Sequence, residues 1–329
     1  MQGYDGRQHR EGDAPDMKRA FVFPGQGSQM PGMGQALAAA FPAARHLFEE
    51  IDEALSQNLS RLMFEGPEQE LMLTENAQPA LLAVSLAVIR VLEGDAGFDI
   101  VRQAAYVAGH SLGEYSALAA AGALSVAEAA RLVKRRGQAM QKAVPVGEGA
   151  MAALLGLDIE AGRAVAEAAA QGEVCALAND NCPGQIVVSG HKGAVERAVA
   201  LAAGQGARRS IMLPVSAPFH CSLMSPAADI MAEALAGTAL APPLVPLVAN
   251  VTAAATSDPE EIKALLVEQA TRMVRWRESV LLFAANEVEE VVEIGAGRVL
   301  AGLVKRVDRT LSARSVGTPA EVEALVQLL

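Results

Sequence analysis

The chain lacks a basic block. Its 27 Lys and Arg are outnumbered by 38 Asp and Glu, giving a formal net charge of -11 over 329 residues. A nucleic-acid footprint needs clustered cations to neutralise phosphates, so no nucleic acid is expected as a partner. An acidic balance does not exclude an anionic substrate, because one well-placed arginine can hold a carboxylate inside a negative protein. Cysteine is scarce. Cys175, Cys182 and Cys221 are odd in number and form no C-x-x-C pair, so neither a disulfide framework nor a metal site is suggested. A reducing compartment, the cytoplasm, fits best. The longest apolar run, Ala80 to Ile89, is broken by Ser85 and falls far short of the ~20 residues a membrane crossing needs. Residues 1–16 have no apolar core segment, which excludes a secretory signal there; they are expected to form a disordered extension, with Met17 as an alternative start. Internal repeats and low-complexity segments are missing too, apart from local alanine enrichment.

Hydrophobic residues make up 51% of the chain, enough for a sizeable core and one or two domains of ~100 to 200 residues each. Arg19 to Phe23 reads as a short buried strand, followed by the glycine-rich loop Pro24-Gly25-Gln26-Gly27-Ser28-Gln29. Apolar residues recur at helical spacing from Gln35 to Leu55, and Ala77 to Leu92 is apolar on nearly every side, as a central helix would be. Tyr106 to Ala108 predicts a strand, Leu112 to Ala121 a helix ended by Gly122, and Val126 to Ala143 a helix behind the N-cap Ser125. This alternation of strand, loop and helix implies a parallel α/β sheet.

Between residues 145 and 213 the pattern changes. Strands are predicted at Ala150–Leu155, Val174–Ala178, Gln185–Ser189 and Arg209–Leu213, with helices at Glu160–Ala170 and Gly193–Ala203. That order is the split βαββαβ, ferredoxin-like unit. The chain then resumes with a helix over Leu223–Leu235, a strand over Leu244–Ala249, helices at Glu260–Met273 and Ser279–Ala285, a strand at Glu290–Ile294, and helices at Arg298–Arg306 and Glu321–Leu328. The expected division is therefore 1–16 as an extension, 17–144 with 214–329 as a large domain, and 145–213 as an inserted small one. A cleft between the two is the natural place for a site.

Gly109-His110-Ser111-Leu112-Gly113 matches G-x-S-x-G, and it lies between a predicted strand and a predicted helix, as that motif requires. The glycines permit a sharp turn that pushes the Ser111 hydroxyl out beside a helix N-terminus. The plainer reading is a tight turn with Ser111 as a helix cap. A serine hydroxyl needs a base to take its proton. Of five histidines, His9 lies in the extension, while His46 and His191 are expected at the surface. His110 points elsewhere if Ser111 points out. His220 remains, on the segment Val215-Ser216-Ala217-Pro218-Phe219-His220-Cys221 that returns across the cleft.

These residues resemble the malonyl-CoA:acyl-carrier-protein transacylases and the related acyltransferase domains of fatty-acid and polyketide synthases. The likeness runs from about Arg19 to the C-terminus. It rests on Phe23-Pro24-Gly25-Gln26-Gly27-Ser28-Gln29, on Gly109-His110-Ser111-Leu112-Gly113-Glu114-Tyr115, on Arg135-Arg136-Gly137 with Met140, and on Ala217-Pro218-Phe219-His220. Glu293-Ile294-Gly295-Ala296-Gly297 with Leu300 looks like the family's late glycine loop. The resemblance implies a large α/β-hydrolase-like domain with the small one inserted. It implies that Ser111 becomes malonylated, that His220 is the base, and that the main-chain N–H groups of Gln26 and Leu112 form the oxyanion hole. Arg136 would clamp the substrate's free carboxylate with its planar fork. The main-chain carbonyl of Gln269 would orient the histidine, so no acidic third member is needed. Asn179 and Asn181 would line the pocket with Phe219, whose bulk crowds an α-methyl branch, although many stand-alone members carry serine there. Cys221 is expected to be a packed small residue.

The implied substrates are malonyl-CoA and the phosphopantetheine thiol of acyl carrier protein, with no metal or redox cofactor, and a monomer is expected. An acidic carrier calls for a basic patch near the cleft, for which Lys134, Arg135, Lys305 and Arg306 stand as candidates. Three other readings stay open at this point: an acyltransferase of a polyketide or polyunsaturated-lipid pathway, an α/β-hydrolase using Asp180 as its acid, and a non-catalytic scaffold that binds carrier proteins.

Overall fold

The computed structural model describes residues 17–328. The expectation for 1–16 lies outside them. Among the described residues ten strands occur in chain order: β1 (Arg19–Phe23), β2 (Tyr106–Gly109), β3 (Gly149–Leu155), β4 (Cys175–Cys182), β5 (Gln185–His191), β6 (Arg209–Met212), β7 (Leu247–Val248), β8 (Ala255–Thr256), β9 (Glu290–Ile294) and β10 (Ser312–Val316). They form two sheets. The larger has the order β10-β9-β1-β2-β7-β8 and is parallel except for the β7–β8 pair at its edge. β1 is central and covered on both faces, so its Arg-Ala-Phe-Val-Phe sequence is buried throughout, as a parallel interior strand requires. Residues Thr74–Gly94 are long and apolar enough to cross a membrane by composition, yet 83% of their most apolar window is buried inside the protein. They belong to the core.

The second sheet draws only on residues 149–212, in the order β4-β5-β3-β6, and is antiparallel throughout. Side chains alternate across a strand. Ala150, Ala152 and Leu154 of β3 pack with Val165, Ala169, Val195 and Ala198 of the helices Ile159–Ala170 and Lys192–Gly204. Met151 and Ala153 face the other way and join Met140, Ala178 and Phe219. The small sheet therefore offers one face to its own helices and the other to the large sheet's side of the molecule.

Several expected bounds shift for physical reasons. The helical run Gln35–Leu55 is two helices, Gln35–Ala40 and Pro42–Leu55, because the residue before a proline is driven out of the helical region and Phe41 is extended, with φ -126°. The strand expected over Leu244–Ala249 contracts to β7. β4 runs past Ala178 to Cys182 through register shifts, and its irregularity turns main-chain groups toward the other lobe: Asp180 N–H donates to Val274 O at 2.9 Å, and Val274 N–H to Ala178 O at 2.8 Å. β4 and β5 are joined by the tight turn Pro183-Gly184. The short helices Leu59–Glu65 and Glu68–Leu71 and the edge strand β10 carried no readable periodicity.

Candidate active site

Phe23 pairs with Gly109 at the carboxyl ends of the adjacent parallel strands β1 and β2. The glycine-rich loop after β1 and the turn after β2 therefore emerge side by side, where open α/β sheets bind ligands. The turn is sharp. Ser111 adopts φ 55°, a left-handed conformation that costs a non-glycine residue roughly 1–2 kcal/mol. Its neighbours must be small for reasons of space. A Cβ on Gly109 would lie 1.8 Å from the Gly113 carbonyl carbon, and one on Gly113 would lie 2.2 Å from Phe23 O. Gly113→Ala is accordingly expected to lower stability by roughly 3 kcal/mol, the upper range for overpacking, as read from the denaturant midpoint. An unchanged midpoint would contradict the packing described.

His220 arrives on the segment that follows β6, itself held at φ 61°. Its Nε2 lies 2.8 Å from Ser111 Oγ and its Nδ1 2.8 Å from Gln269 O. A carbonyl oxygen only accepts, so Nδ1 carries the proton and Nε2 presents its lone pair to the serine hydroxyl. Burial, and then the nearby Arg136 cation, push the imidazole down to about 3. His220 is thus neutral above that value, with the Nε2 lone pair open to a proton. The rate of Ser111 acylation is expected to show no midpoint at the ordinary histidine value of about 6.5 as pH falls; such a midpoint, lost on substitution of His220, would contradict this state.

Arg136 is 2% exposed. Gly137 explains how it gets inside, since a Cβ there would lie 2.6 Å from Thr74 O; the helices Val126–Ala143 and Thr74–Ala96 approach closely at that point. Its hydrogen-bond partners are all neutral: Nη1 donates to Gln78 Oε1 at 2.9 Å, and Nη2 to Ser111 Oγ at 2.9 Å and Gln269 Oε1 at 2.7 Å. Among the described residues Nε is buried with no partner. A buried cation held only by neutral groups is a strong demand for an anion.

Ser111, His220, Arg136 and Gln78 line one cavity of about 230 Å³, together with Gln26, Leu112, Met140, Met151, Asn179 and Phe219. Neither the Gln26 nor the Leu112 main-chain N–H donates a hydrogen bond among the described residues. Asn179 is in the wall, and its Oδ1 is buried without a partner among the described residues. Asn181 is not in the wall, contrary to expectation. Successive strand residues point to opposite faces, and the β4 register shifts place Asn181 behind His110, whose Nε2 lies 2.9 Å from Asn181 Oδ1. His110 lines the cavity while leaning on Trp276, with ring centroids 5.8 Å apart. His191 is half-buried, its Nδ1 accepting from Val174 N–H at 2.9 Å. His46 is exposed; His9 lies outside the described residues. Cys221 is buried.

Asp180, the acid a hydrolase triad would need, is spent on Arg277 at 2.8 Å. The four basic candidates do not act as one group: Lys134 faces Glu75 at 3.7 Å, Arg135 faces Glu233 at 3.6 Å, Lys305 lies with Arg298 and Arg314 in one groove, and Arg306 lies with Arg208 and Arg209 around another of about 510 Å³. Sequence reasoning gave no role to Gln78, Asn250 or Glu114. The one signal for Gln78 was a polar residue at the start of an apolar helix. Among the described residues no cluster of three His, Cys, Asp or Glu side chains is arranged to hold a metal ion.

A strained serine hydrogen-bonded to a neutral imidazole, in a cavity that Gln26 and Leu112 also line and at the edge of a parallel α/β sheet, is an arrangement suited to acyl transfer. The chain belongs to the acyl transferase domain family, which it matches over residues 20–326. It is 48% identical to the malonyl CoA-acyl carrier protein transacylase of Bacillus subtilis (strain 168), over 95% of this chain and 97% of that one. The crystal structure of acyl-carrier-protein-S-malonyltransferase from Bartonella henselae superposes with a TM-score of 0.92 at 53% identity, covering 95% of this chain and 99% of that one. A malonyl-transacylase solved in complex with a type II PKS acyl-carrier protein superposes with a TM-score of 0.91 at 44% identity, over 94% and 99%.

Proposed function

We propose that this acyltransferase moves a malonyl group from malonyl-CoA to the phosphopantetheine thiol of an acyl carrier protein, through a malonyl ester on Ser111, in the service of fatty-acid synthesis. The observation that carries the reading is Arg136, a buried cation with only neutral partners, 2.9 Å from a serine that shares its proton with His220. The free carboxylate of malonyl supplies the anion that Arg136 demands, and the guanidinium meets it with paired N–H donors. An acetyl group offers nothing to that fork.

His220 Nε2 takes the Ser111 proton as Oγ attacks the thioester carbonyl. The carbonyl oxygen gains charge and is met by the main-chain N–H groups of Gln26 and Leu112. The C–S bond breaks, coenzyme A leaves with the proton held by His220, and the ester remains. The carrier thiol then gives its proton to His220 and attacks the ester carbonyl; the C–O bond breaks and Ser111 Oγ recovers a proton. Gln269 O, accepting from Nδ1–H, stabilises the imidazolium that forms in each half. Phe219 and Asn179 shape the pocket, with the phenyl ring set against branched acyl groups. No resident cofactor enters these steps. We take 17–144 with 214–329 as the catalytic lobe and 145–213 as the inserted one, since the second sheet is made of residues 149–212 alone. The free thiols suit a cytoplasmic setting, and a monomer suffices because every group of the site comes from one chain.

Initial rates measured against both substrates test the scheme. Parallel double-reciprocal lines are expected, because coenzyme A departs before the carrier reacts. Converging lines would contradict a covalent intermediate, and steady malonate release without carrier would favour hydrolysis.

A further inference from the structure

Three residues that the transfer scheme leaves unused or half used, Glu114, Asn250 and the side chain of Gln269, form a closed polar network beneath the nucleophile. All are buried: Glu114 is 1% exposed and the other two 0%. The Asn250 amide spans the turn, its Oδ1 accepting from Ser111 N–H at 2.8 Å and its Nδ2 donating to Gly109 O at 2.6 Å. Gln269 Nε2 donates to Ser111 O at 2.9 Å, while its Oε1 accepts from Arg136. Glu114 ties the two together: one carboxylate oxygen accepts from Asn250 N–H at 2.6 Å and the other from Gln269 Nε2.

The bookkeeping of donors leaves no freedom. Both hydrogens of Gln269 Nε2 are used, one on Ser111 O and one on Glu114, so the amide cannot flip without setting Oε1 against two acceptors. The Gln269 main chain meanwhile holds His220. One residue therefore touches the nucleophile's carbonyl, the base and the cationic clamp, and Glu114 fixes it. Strained conformations such as those of Ser111 and His220 persist only where the surroundings over-determine them.

We propose that Glu114 is a positioning residue for the acyl transfer, its carboxylate locking Gln269 and Asn250 so that Ser111, His220 and Arg136 are held in one reactive arrangement. The inference rests on the transfer reading above. It requires both oxygens to accept. Burial pushes the Glu114 carboxyl up to about 8, opposed by the Asn250 and Gln269 donors and by the Arg136 charge. The ionisable groups that face it are Arg136, from the helix Val126–Ala143, and Tyr115 on its own helix. A protonated Glu114 keeps one full acceptor and only a weak one at its hydroxyl oxygen, so the lock is complete only as pH rises through that value.

The test is single-turnover malonylation of Ser111 by malonyl-CoA, in wild type and in Glu114→Gln, from about pH 5 to about pH 9. A glutamine keeps the shape but offers one acceptor where two are needed. Wild type is expected to pass from a slower to a faster plateau with a midpoint near 8. Glu114→Gln is expected to run between about 10- and 100-fold below the faster plateau, with no midpoint there, while its circular dichroism stays that of wild type. A folded Glu114→Gln with the wild-type rate and profile overturns the proposal. If that variant does not fold, Asn250→Ala serves: a comparable loss with the folded spectrum retained supports the lock, and an undiminished rate sinks it. A wild-type profile without the midpoint overturns it as well. Wild type that is never malonylated defeats the transfer reading instead, so the two failures are distinguishable.

Discussion

Replacing His220 with alanine is expected to reduce malonyl transfer by roughly 10⁴- to 10⁶-fold, the scale seen when a member of a nucleophile–base pair is removed. The reason is local. Ser111 Oγ has two partners, the lone pair of His220 Nε2 at 2.8 Å and the Arg136 donor at 2.9 Å, and only the first can take its proton. Arg136 cannot substitute, since a guanidinium has no acceptor to offer. The His220 Nδ1–H to Gln269 O contact is lost in the same variant, but a neutral carbonyl facing a small void costs the fold little compared with the loss of the base. Steady-state kcat/KM with malonyl-CoA and carrier reads the effect. Activity within tenfold of wild type would mean that another group deprotonates the serine.

Arg136→Ala should separate two kinds of acyl group. Each charge-assisted hydrogen bond to a carboxylate is worth about 1.5–3 kcal/mol, so losing the paired contact lowers kcat/KM for malonyl by roughly 10²- to 10⁴-fold. An acetyl or longer uncharged acyl group makes no such contact. For it the variant removes a buried charge that has only neutral partners, and the rate is expected to hold or rise. Competing malonyl-CoA and acetyl-CoA in one reaction measures the ratio directly. Equal loss for both would show that Arg136 supports the serine or the fold and does not select the substrate.

How much of this was legible in the sequence depended on whether a residue's neighbours were near in the chain. β1, β2 and the existence and order of the strands of the second sheet were readable because their apolar pattern is local, though not the full length of β4, and the Ser111 turn because its glycines flank it. Phe41 broke a helix that periodicity alone had joined, while Pro42 stood in plain view as the cause. β10 escaped notice because its Ser-Ala-Arg-Ser-Val sequence is an edge strand with no apolar run. Arg136 and His220 were found as motif members, yet their burial and mutual distance were not readable. Glu114 was quoted within a motif and assigned nothing, since its partners Asn250 and Gln269 lie 136 and 155 residues away. Asn181 was misplaced for the converse reason: its type suited a pocket, but register shifts along β4 turned it toward His110.

Intact-protein mass spectrometry after mixing with malonyl-CoA alone, followed by peptide mapping, tests the covalent step most directly. The account predicts one malonyl group per chain, carried on the peptide containing Ser111, and its discharge on addition of a holo carrier protein. An unmodified protein, or a malonyl group mapped to any other residue, would contradict it.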